Sequence, residues 1–324
     1  MYFPTGFFIP TFQIECIILN QLFLLRNTMK SEDVTIIGAG PAGIAAAIQL
    51  KRYGITPLLL EKEEIGGLLR NANLVENYPG FPSGITGSRL VNLFREQLQR
   101  VSILPAFEEV KKLYFKKKIF LVETRKKTYP FRIVVIASGT KPRGFADFVI
   151  PEEVKDKIFY EVYPILRARK KEIVIIGAGD AAFDYALNLS QNNQVTILNS
   201  GQHIRSLPLL LERAQAVSSI SYHKNTRITR VSNNSQNGIL LECKTLGNTW
   251  KSRADYLIFA IGREPQLDFL SEKVKQNFRA LVKKGVLYLS GDVKNRNYRQ
   301  TAIAVGDGIM AAMKICRRLK VVCS

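Results

Sequence analysis

The chain has 324 residues, 46% of them hydrophobic, with 47 Lys+Arg against 27 Asp+Glu and a formal net charge of +20. That length and apolar content are enough for two ordinary domains, each with its own core, and exclude a disordered chain. The basic residues fall in short runs (Lys116–Lys118, Arg125–Lys127, Arg167–Lys171, Lys283-Lys284, Arg317-Arg318) with no nucleic-acid motif beside them. A nucleic-acid partner is therefore the least favoured class, behind plain solvated surface and a field that steers an acidic partner.

Residues 1–28 differ from the rest of the chain. They are apolar and aromatic, with no positive n-region and no small-residue cleavage site. Pro10, Gln13, Glu15, Asn20 and Gln21 interrupt the run, which falls short of the ~20 clean apolar residues of a membrane span. Met29 opens Met29-Lys30-Ser31-Glu32-Asp33 directly before the first strand. The extension is expected to be a mis-assigned upstream start, with a peripheral anchor as the other reading, and no stable membrane insertion is expected.

The strand Val34–Ile37 leads into the turn Gly38-Ala39-Gly40-Pro41-Ala42-Gly43 and a helix through about Leu50. A second strand, Pro57–Leu60, ends at Glu61, eighteen residues past Gly43, where a carboxylate is placed to meet a ribose hydroxyl. The strand Ile133–Ile136 closes the unit in Ala137-Ser138-Gly139. The plan then repeats, with Gly177 lying 139 residues after Gly38. The strand Ile173–Ile176 runs into Gly177-Ala178-Gly179-Asp180-Ala181-Ala182 and a helix through about Leu189. Val195–Leu198 and Tyr256–Phe259 come next, the latter running into Ala260-Ile261-Gly262. Each unit reads as a doubly wound α/β domain.

In each unit the first glycine permits the tight turn and the second lets a pyrophosphate approach the backbone. Gly43 or Ala182 lets helix and strand pack closely, and the helix N-terminus carries the anion. One such turn is weak evidence; two, each after a β-branched strand and before an alanine-rich helix, are strong. Two nucleotides in one chain imply electrons passing between them, as in a flavoprotein fed by a nicotinamide. A late strand, Val286–Leu289, ends in Ser290-Gly291-Asp292 outside the second repeat. The first domain is thus expected to be discontinuous (29–142 and 265–324), with 143–264 inserted and crossings near 141–145 and 263–266.

The four cysteines, Cys16, Cys243, Cys316 and Cys323, form no C-x-x-C. No zinc ribbon, dithiol or other metal site is therefore expected, and so few cysteines suit a reducing cytoplasm.

Over about residues 33 to 320 the chain resembles the low-molecular-weight thioredoxin reductase branch of the FAD-dependent pyridine nucleotide–disulfide oxidoreductases. The resemblance is carried by Glu61 with Gly66-Gly67-Leu68, Val75-Glu76-Asn77-Tyr78-Pro79-Gly80, Ala260-Ile261-Gly262-Arg263-Glu264-Pro265, Gly291-Asp292-Val293, and Tyr298-Arg299-Gln300 with the glycine-containing helix after it. It implies FAD in the first domain. Gly38, Gly40, Pro41, Ala42 and Gly43 would hold the pyrophosphate and Glu61 the adenosine ribose. Gly66, Gly67, Leu68 and Asn77 would line the flavin, with Val110 and Ala137-Ser138-Gly139 alongside. Gly291 and Asp292 would hold the ribityl chain, and Arg299, Gln300 and Thr301 would run beside the ring. NADH or NADPH would lie on Gly177, Gly179, Asp180, Ala181, Ala182, Asn199, Arg205, Ala260, Ile261 and Gly262. A homodimer and domain rotation are also implied.

Two departures stand out. Where the family has its redox C-x-x-C, this chain has Tyr160 and Tyr163 in Phe159-Tyr160-Glu161-Val162-Tyr163-Pro164. Thiolate exchange with a partner disulfide is closed to tyrosine. Where NADP-dependent members have His-Arg-Arg and a further Arg, Asn199-Ser200-Gly201-Gln202-His203-Ile204-Arg205 keeps only Arg205 in register, and no acid stands at Asn199 to bind a free ribose diol. Loss of the phosphate clamp leans the chain toward NADH.

Individual residues carry alternatives. Tyr160 and Tyr163 are either flavin neighbours or ordinary packed tyrosines of a linker. His203 reads as a surface residue before it reads as a nucleotide contact, and His223 and Cys243 read as strand residues. Cys316 and Cys323 are seven apart, which on a helix leaves ~10 Å between them, too far for a disulfide. Asp180 either orients the nucleotide or is a helix N-terminal acid favoured by the dipole. The leading expectation is an FAD enzyme that takes hydride from NAD(P)H and passes electrons from the flavin straight to an external acceptor. A small acidic carrier such as ferredoxin or flavodoxin suits the +20 charge. A disulfide reductase with an unusual thiol route and a flavin-binding sensor with little turnover are the alternatives.

Overall fold

The structure is a computed structural model and describes residues 33–145, 149–234 and 238–319. The upstream segment 1–28 and Cys323 lie outside the described residues. Two five-stranded sheets, parallel throughout, form its two halves. In the first the spatial order is Leu287–Leu289, Ile133–Ile136, Val34–Ile37, Leu58–Glu61, Ala106–Phe107. In the second it is Ile220–His223, Gln194–Leu198, Glu172–Ile176, Tyr256–Phe259, Ile158–Phe159. The central strands are apolar on both faces because helices or a second sheet cover both sides. The expected pair of Rossmann-like units is thus present, and the first sheet takes its strands from both ends of the chain.

Each unit also carries a three-stranded antiparallel sheet that the glycine-turn pattern does not reach. Val110–Lys116, Ile119–Thr124 and Thr128–Phe131 form it in the first unit, and Thr226–Asn234, Gly238–Thr245 and Asn248–Ala254 in the second. Their alternation shows why they form. Phe120 and Val122 point inward while Ile119 and Leu121 do not, the period-2 pattern of a sheet with one wet face. Cys243 is such an inward residue, fully buried, so its reading as a strand core residue holds.

The helix Pro41–Arg52 begins with proline at its first position, where no intrahelical N–H is needed, and ends on Lys51 and Arg52 at the negative end of its dipole. Its buried face (Ala42, Gly43, Ile44, Ala46, Ala47, Leu50) is small enough to admit the C-terminal helix Thr301–Arg318 at backbone distance. A Cβ on Gly308 would lie 2.1 Å from the carbonyl oxygen of Ala42. The chain passes between the sheets through a two-stranded ribbon, Thr140–Pro142 against Arg263–Pro265. Among the described residues no helix is long and apolar enough to cross a membrane.

The helix contact is directly testable. Gly308→Ala puts a methyl group against backbone that has no side chain to swing away. It should destabilise the protein by at least ~2 kcal/mol, read as the shift in urea unfolding of the FAD-loaded protein.

Candidate functional site: two dinucleotide beds and the seam between them

At the first turn Gly38 has φ +106°, and a Cβ there would sit 2.4 Å from the carbonyl oxygen of Ala137. The adjacent strand end Ala137-Ser138-Gly139 is thereby drawn against the turn, and a Cβ on Gly43 would meet Gly38 O at 1.9 Å. Glu61 lies beside it at the end of its strand. Its Oε2 accepts from Ala39 N at 2.7 Å and its Oε1 from Glu63 N at 3.1 Å, which fixes the carboxylate and leaves it further lone pairs. Val110 comes three residues after Phe107, the strand partner of Glu61, at the same end of the sheet.

Gly66 N donates to Ala39 O at 2.8 Å, which places the short 3-10 helix Gly67–Asn71 over the turn. A Cβ on Gly67 would come 3.4 Å from Gly40 Cα, so Gly66, Gly67 and Leu68 border the same hollow. On the far side Asn77 Nδ2 donates to Gln300 Oε1 at 3.0 Å, just ahead of Thr301 at the helix start. Gly291, at φ +78°, packs its α-carbon against Ala42, with a Cβ placed 2.7 Å from that residue's methyl. This puts Asp292 at the turn.

Asp292 fits a polyhydroxylated ligand. Among the described residues its carboxylate accepts no hydrogen bond, and burial raises its pKa against the pull of Arg299 and Arg263. Ser290 Oγ and Arg299 Nε are buried with no hydrogen-bond partner, and burial lowers the Arg299 pKa. Such groups are costly unless a ligand satisfies them. The glycine cradle, the fixed Glu61 and these orphaned atoms are groups that a dinucleotide such as FAD would satisfy.

The second bed repeats the first. Gly177 has φ +139°, and a Cβ there would lie 2.4 Å from Ala260 O, as Gly38 does to Ala137. Ala260 N donates to Ile176 O, and Ile261-Gly262 continue at the same sheet end. Gly179 opens the helix Asp180–Leu189, with Ala181 exposed in its first turn and Ala182 buried against the strand. Ala182 stands where the first turn requires Gly43, so this turn has room for one more methyl.

Three expected nucleotide residues have other duties. Asn199 is 7% exposed, and its amide is used up. Nδ2 donates to His203 O and Tyr222 Oη, and Oδ1 accepts from Gly201 N, so it organises the loop and keeps no donor for a ribose. Asp180 Oδ1 accepts from Leu207 N at 2.8 Å, tying down the far end of that loop in addition to being a helix N-terminal acid. Arg205 meets the expectation differently. Its backbone bridges Gly179 and its N–H donates to Ala178 O, while its side chain is exposed. His203 is exposed on the same loop, and His223 ends an edge strand with its ring 5.5 Å from Trp250.

The segment Phe159–Pro164 lies at the seam, and its two tyrosines part company there. Tyr160 is half-buried and stacks on Phe259 at 5.5 Å, against the second unit's core. Tyr163 docks on the first unit. Its N–H donates to Asn71 Oδ1 at 2.9 Å and its hydroxyl to Glu64 Oε2, and Arg70 sits 4.6 Å from the ring centre. Glu161 between them joins Asn71 to Arg263, which also holds Thr140 of the crossing ribbon. Sequence reading missed Asn71, Glu161 and Asp184. Their signal is only polar residues in apolar surroundings, which no turn motif flags. Glu76 and Arg213 form a two-pronged ion pair across the same seam. Both described thiols are poor nucleophiles: Cys243 and Cys316 are buried, and burial pushes each up to about 11.

Two linked dinucleotide beds on a shared seam define the architecture of a two-nucleotide redox flavoenzyme. The chain belongs to the pyridine nucleotide-disulphide oxidoreductase family, whose model matches residues 32–308. It is 30% identical to the thioredoxin reductase of Mycolicibacterium smegmatis over 89% of this chain and 97% of that one. Among solved structures it is similar to Lactococcus lactis thioredoxin reductase in its FR conformation (TM-score 0.78, 26% identity, 90% of this chain and 100% of the other). It is also similar to T. acidophilum thioredoxin reductase (TM-score 0.76, 27% identity, 88% of this chain and 98% of the other). The chain is thus a thioredoxin reductase-like oxidoreductase that uses FAD and NAD(P)H.

The seam makes a pH-dependent prediction. Asp184 Oδ2 accepts from Asn73 N at 3.0 Å, yet burial pushes its carboxyl up to about 6 despite the N–H groups of Asn73 and Leu74. A carboxyl whose folded pKa exceeds its unfolded one holds its proton longer in the native state, so stability falls as pH rises from about 4 through about 6. Asp184→Asn should remove that slope and make the protein more stable than wild type at pH ~7.5, by up to about 3 kcal/mol. Urea unfolding of both FAD-loaded proteins at pH ~4.5 and ~7.5 checks it; equal differences at the two values would refute the assignment.

Proposed function

We propose that this chain takes hydride from NAD(P)H, with a leaning to NADH, and passes electrons from bound FAD directly to an external acceptor, with no protein disulfide between. The observation that carries this reading is the segment Phe159–Pro164. By the family resemblance it takes the place of the dithiol, it contains no cysteine, and the described thiols elsewhere are buried with raised pKa. FAD, when bound, supplies the ring that accepts a hydride and releases electrons singly or in pairs. The protein's own contribution is positional. Gly38, Gly40 and the N-terminus of helix Pro41–Arg52 hold a pyrophosphate, Glu61 and Asp292 accept from hydroxyls, and Asn77, Arg299 and Gln300 border the ring. Gly179, Ala181 and Arg205 hold the nicotinamide nucleotide, and the Tyr163–Asn71–Glu161–Arg263 network sets how the two beds face each other.

A small acidic redox protein such as ferredoxin or flavodoxin suits a chain of net charge +20 as acceptor. The division into a discontinuous FAD-binding part (29–142 and 265–324) and an inserted NAD(P)H-binding part (143–264) belongs to the same proposal, as does a cytoplasmic location. So does a homodimer, supported by the exposed Ile303, Ile309, Met310 and Met313 of the C-terminal helix. The second reading, a disulfide reductase, is favoured by the names of the relatives and would use an unusual thiol route through Cys316 or Cys323.

Anaerobic mixing with NADH or NADPH should bleach the flavin absorbance, and ferredoxin or flavodoxin should restore it. Turnover of a thioredoxin disulfide that disappears in Cys316→Ser or Cys323→Ser would overturn the proposal in favour of the second reading. Failure of both nucleotides to bleach the flavin would favour a sensor.

Nucleotide preference gives a separate prediction. Because Asn199 holds the loop together, the informative change leaves it alone: Ser200→Arg with Gly201→Arg, both exposed beside Arg205. Each new charged hydrogen bond to a 2′-phosphate is worth ~1.5–3 kcal/mol if aligned, so kcat/KM should move toward NADPH by about tenfold or more. A wild type that already favours NADPH by more than about tenfold would show that other groups hold the phosphate.

A further inference from the structure

Away from both beds, on the edge of the first sheet, an open groove of about 550 Å³ runs between helix Phe278–Lys283, edge strand Leu287–Leu289 and helix Thr301–Arg318. Its floor is apolar and aromatic: Phe278, Val282, Tyr288 and Leu289. Cations stand on both walls, Arg279 and Lys283 one helical turn apart on one side, Lys294 and Lys314 on the other. A second groove of about 600 Å³ shares Phe278 and Arg279 with it, so the apolar track continues past the start of the short helix.

The charge here is one-sided. Residues 273–318 contain eleven Lys and Arg against two acids, Asp292 and Asp307. Asp292 sits in the FAD bed. Asp307 is spent internally, on Lys294, Asn295 and Gly291 N. Among the described residues Arg279, Lys283 and Lys314 meet no carboxylate, and all three are exposed, as is Val282 at 40%. The proposed electron-transfer reading uses none of these groups.

We propose that this groove is a docking site for an acidic, partly apolar segment of a partner protein. The layout chooses the class of occupant. A small anion wants cations converging on one point, whereas here they come from separate segments, Arg279 and Lys283 from one helix and Lys294 and Lys314 from two other segments, beside an apolar floor. An extended or helical segment laid on that floor places apolar side chains on Phe278, Val282 and Leu289, and its carboxylates reach the cations. Charge complementarity of this kind speeds encounter and fixes orientation, and the apolar floor supplies the area that holds the complex. The inference holds whichever molecule receives the electrons.

The test uses the full-length FAD-loaded protein and a short fluorescein-labelled peptide of alternating Glu and Leu, with binding read by anisotropy at low salt. Arg279→Glu with Lys283→Glu should raise Kd by about tenfold or more, and Lys314→Glu on the opposite wall should act in the same direction. Val282→Asp should weaken binding without touching the cations. As a control, Lys251→Glu with Arg253→Glu makes the same change in net charge on the second unit's antiparallel sheet and should leave Kd within about twofold. Flavin content and NAD(P)H oxidation with a small artificial acceptor should be unchanged in all of them, which reports intact folding. Equal weakening by the control pair would reduce the effect to net charge and overturn the proposal. Full binding by the groove variants would also overturn it. So would vesicles of phosphatidylserine that bind through Arg279 and Lys283 when the peptide does not.

Discussion

The structure depends on one steric constraint used twice. At Gly38 and again at Gly177 the terminal carbonyl of the neighbouring parallel strand lies 2.4 Å from where a Cβ would stand. No L side chain fits there, and only glycine takes these positive φ angles without cost. Because nothing separates the two segments, the turn, the strand end and the first helical turn become one rigid piece of backbone. Several of its own N–H groups are spent on holding it: Gly38 N donates to Leu60 O and Ala39 N to Glu61 Oε2. The remaining ligand-facing groups are hung on that piece: Glu61 through Ala39 N, and the 66–68 segment through Ala39 O.

A second tier of close packing holds the first bed from below. Ala42, Gly291 and Gly308 meet with almost no side chain between them: Asp292 follows Gly291 in the short turn packed on Ala42, and the C-terminal helix can approach only because position 308 is bare. Polarity is then concentrated where packing leaves room. In a chain with a large positive charge, the acids of the first bed are its exceptions, held in place by backbone N–H groups or by burial beside arginine.

How much of this was legible in the sequence depends on the kind of signal. The parallel strands and both glycine turns could be read closely, because a β-branched run followed by a glycine turn leaves few other solutions. Helix Asp180–Leu189 ends where its pattern stops. The three-stranded antiparallel sheets were not legible from the turns, since their alternation is weak and broken by lysines, as in Val110–Lys116. Asn199 was legible as a position but not as a role: register with relatives places it at the ribose, whereas its three hydrogen bonds are local. Tyr160 and Tyr163 look equivalent in the sequence because spacing alone does not show that one faces Phe259 and the other Arg70. The seam residues Asn71, Glu161 and Asp184 are invisible to any local pattern, because their partners lie about ninety to a hundred and ten positions away.

The crossing ribbon has a consequence for how such a chain is put together. Lys141 faces Glu264 and Arg263 faces Pro142, so the chain leaves the first unit and returns to it at neighbouring points. Everything between is joined covalently to the first unit only at this two-strand neck, with the seam contacts added on top. A replacement of any length can be spliced at that neck without rethreading the first unit, provided its own ends lie a strand's width apart. The loop-closure entropy it adds grows only slowly with length. The inserted second unit is therefore exchangeable in a way the first, whose sheet takes strands from both sides of the insertion, is not.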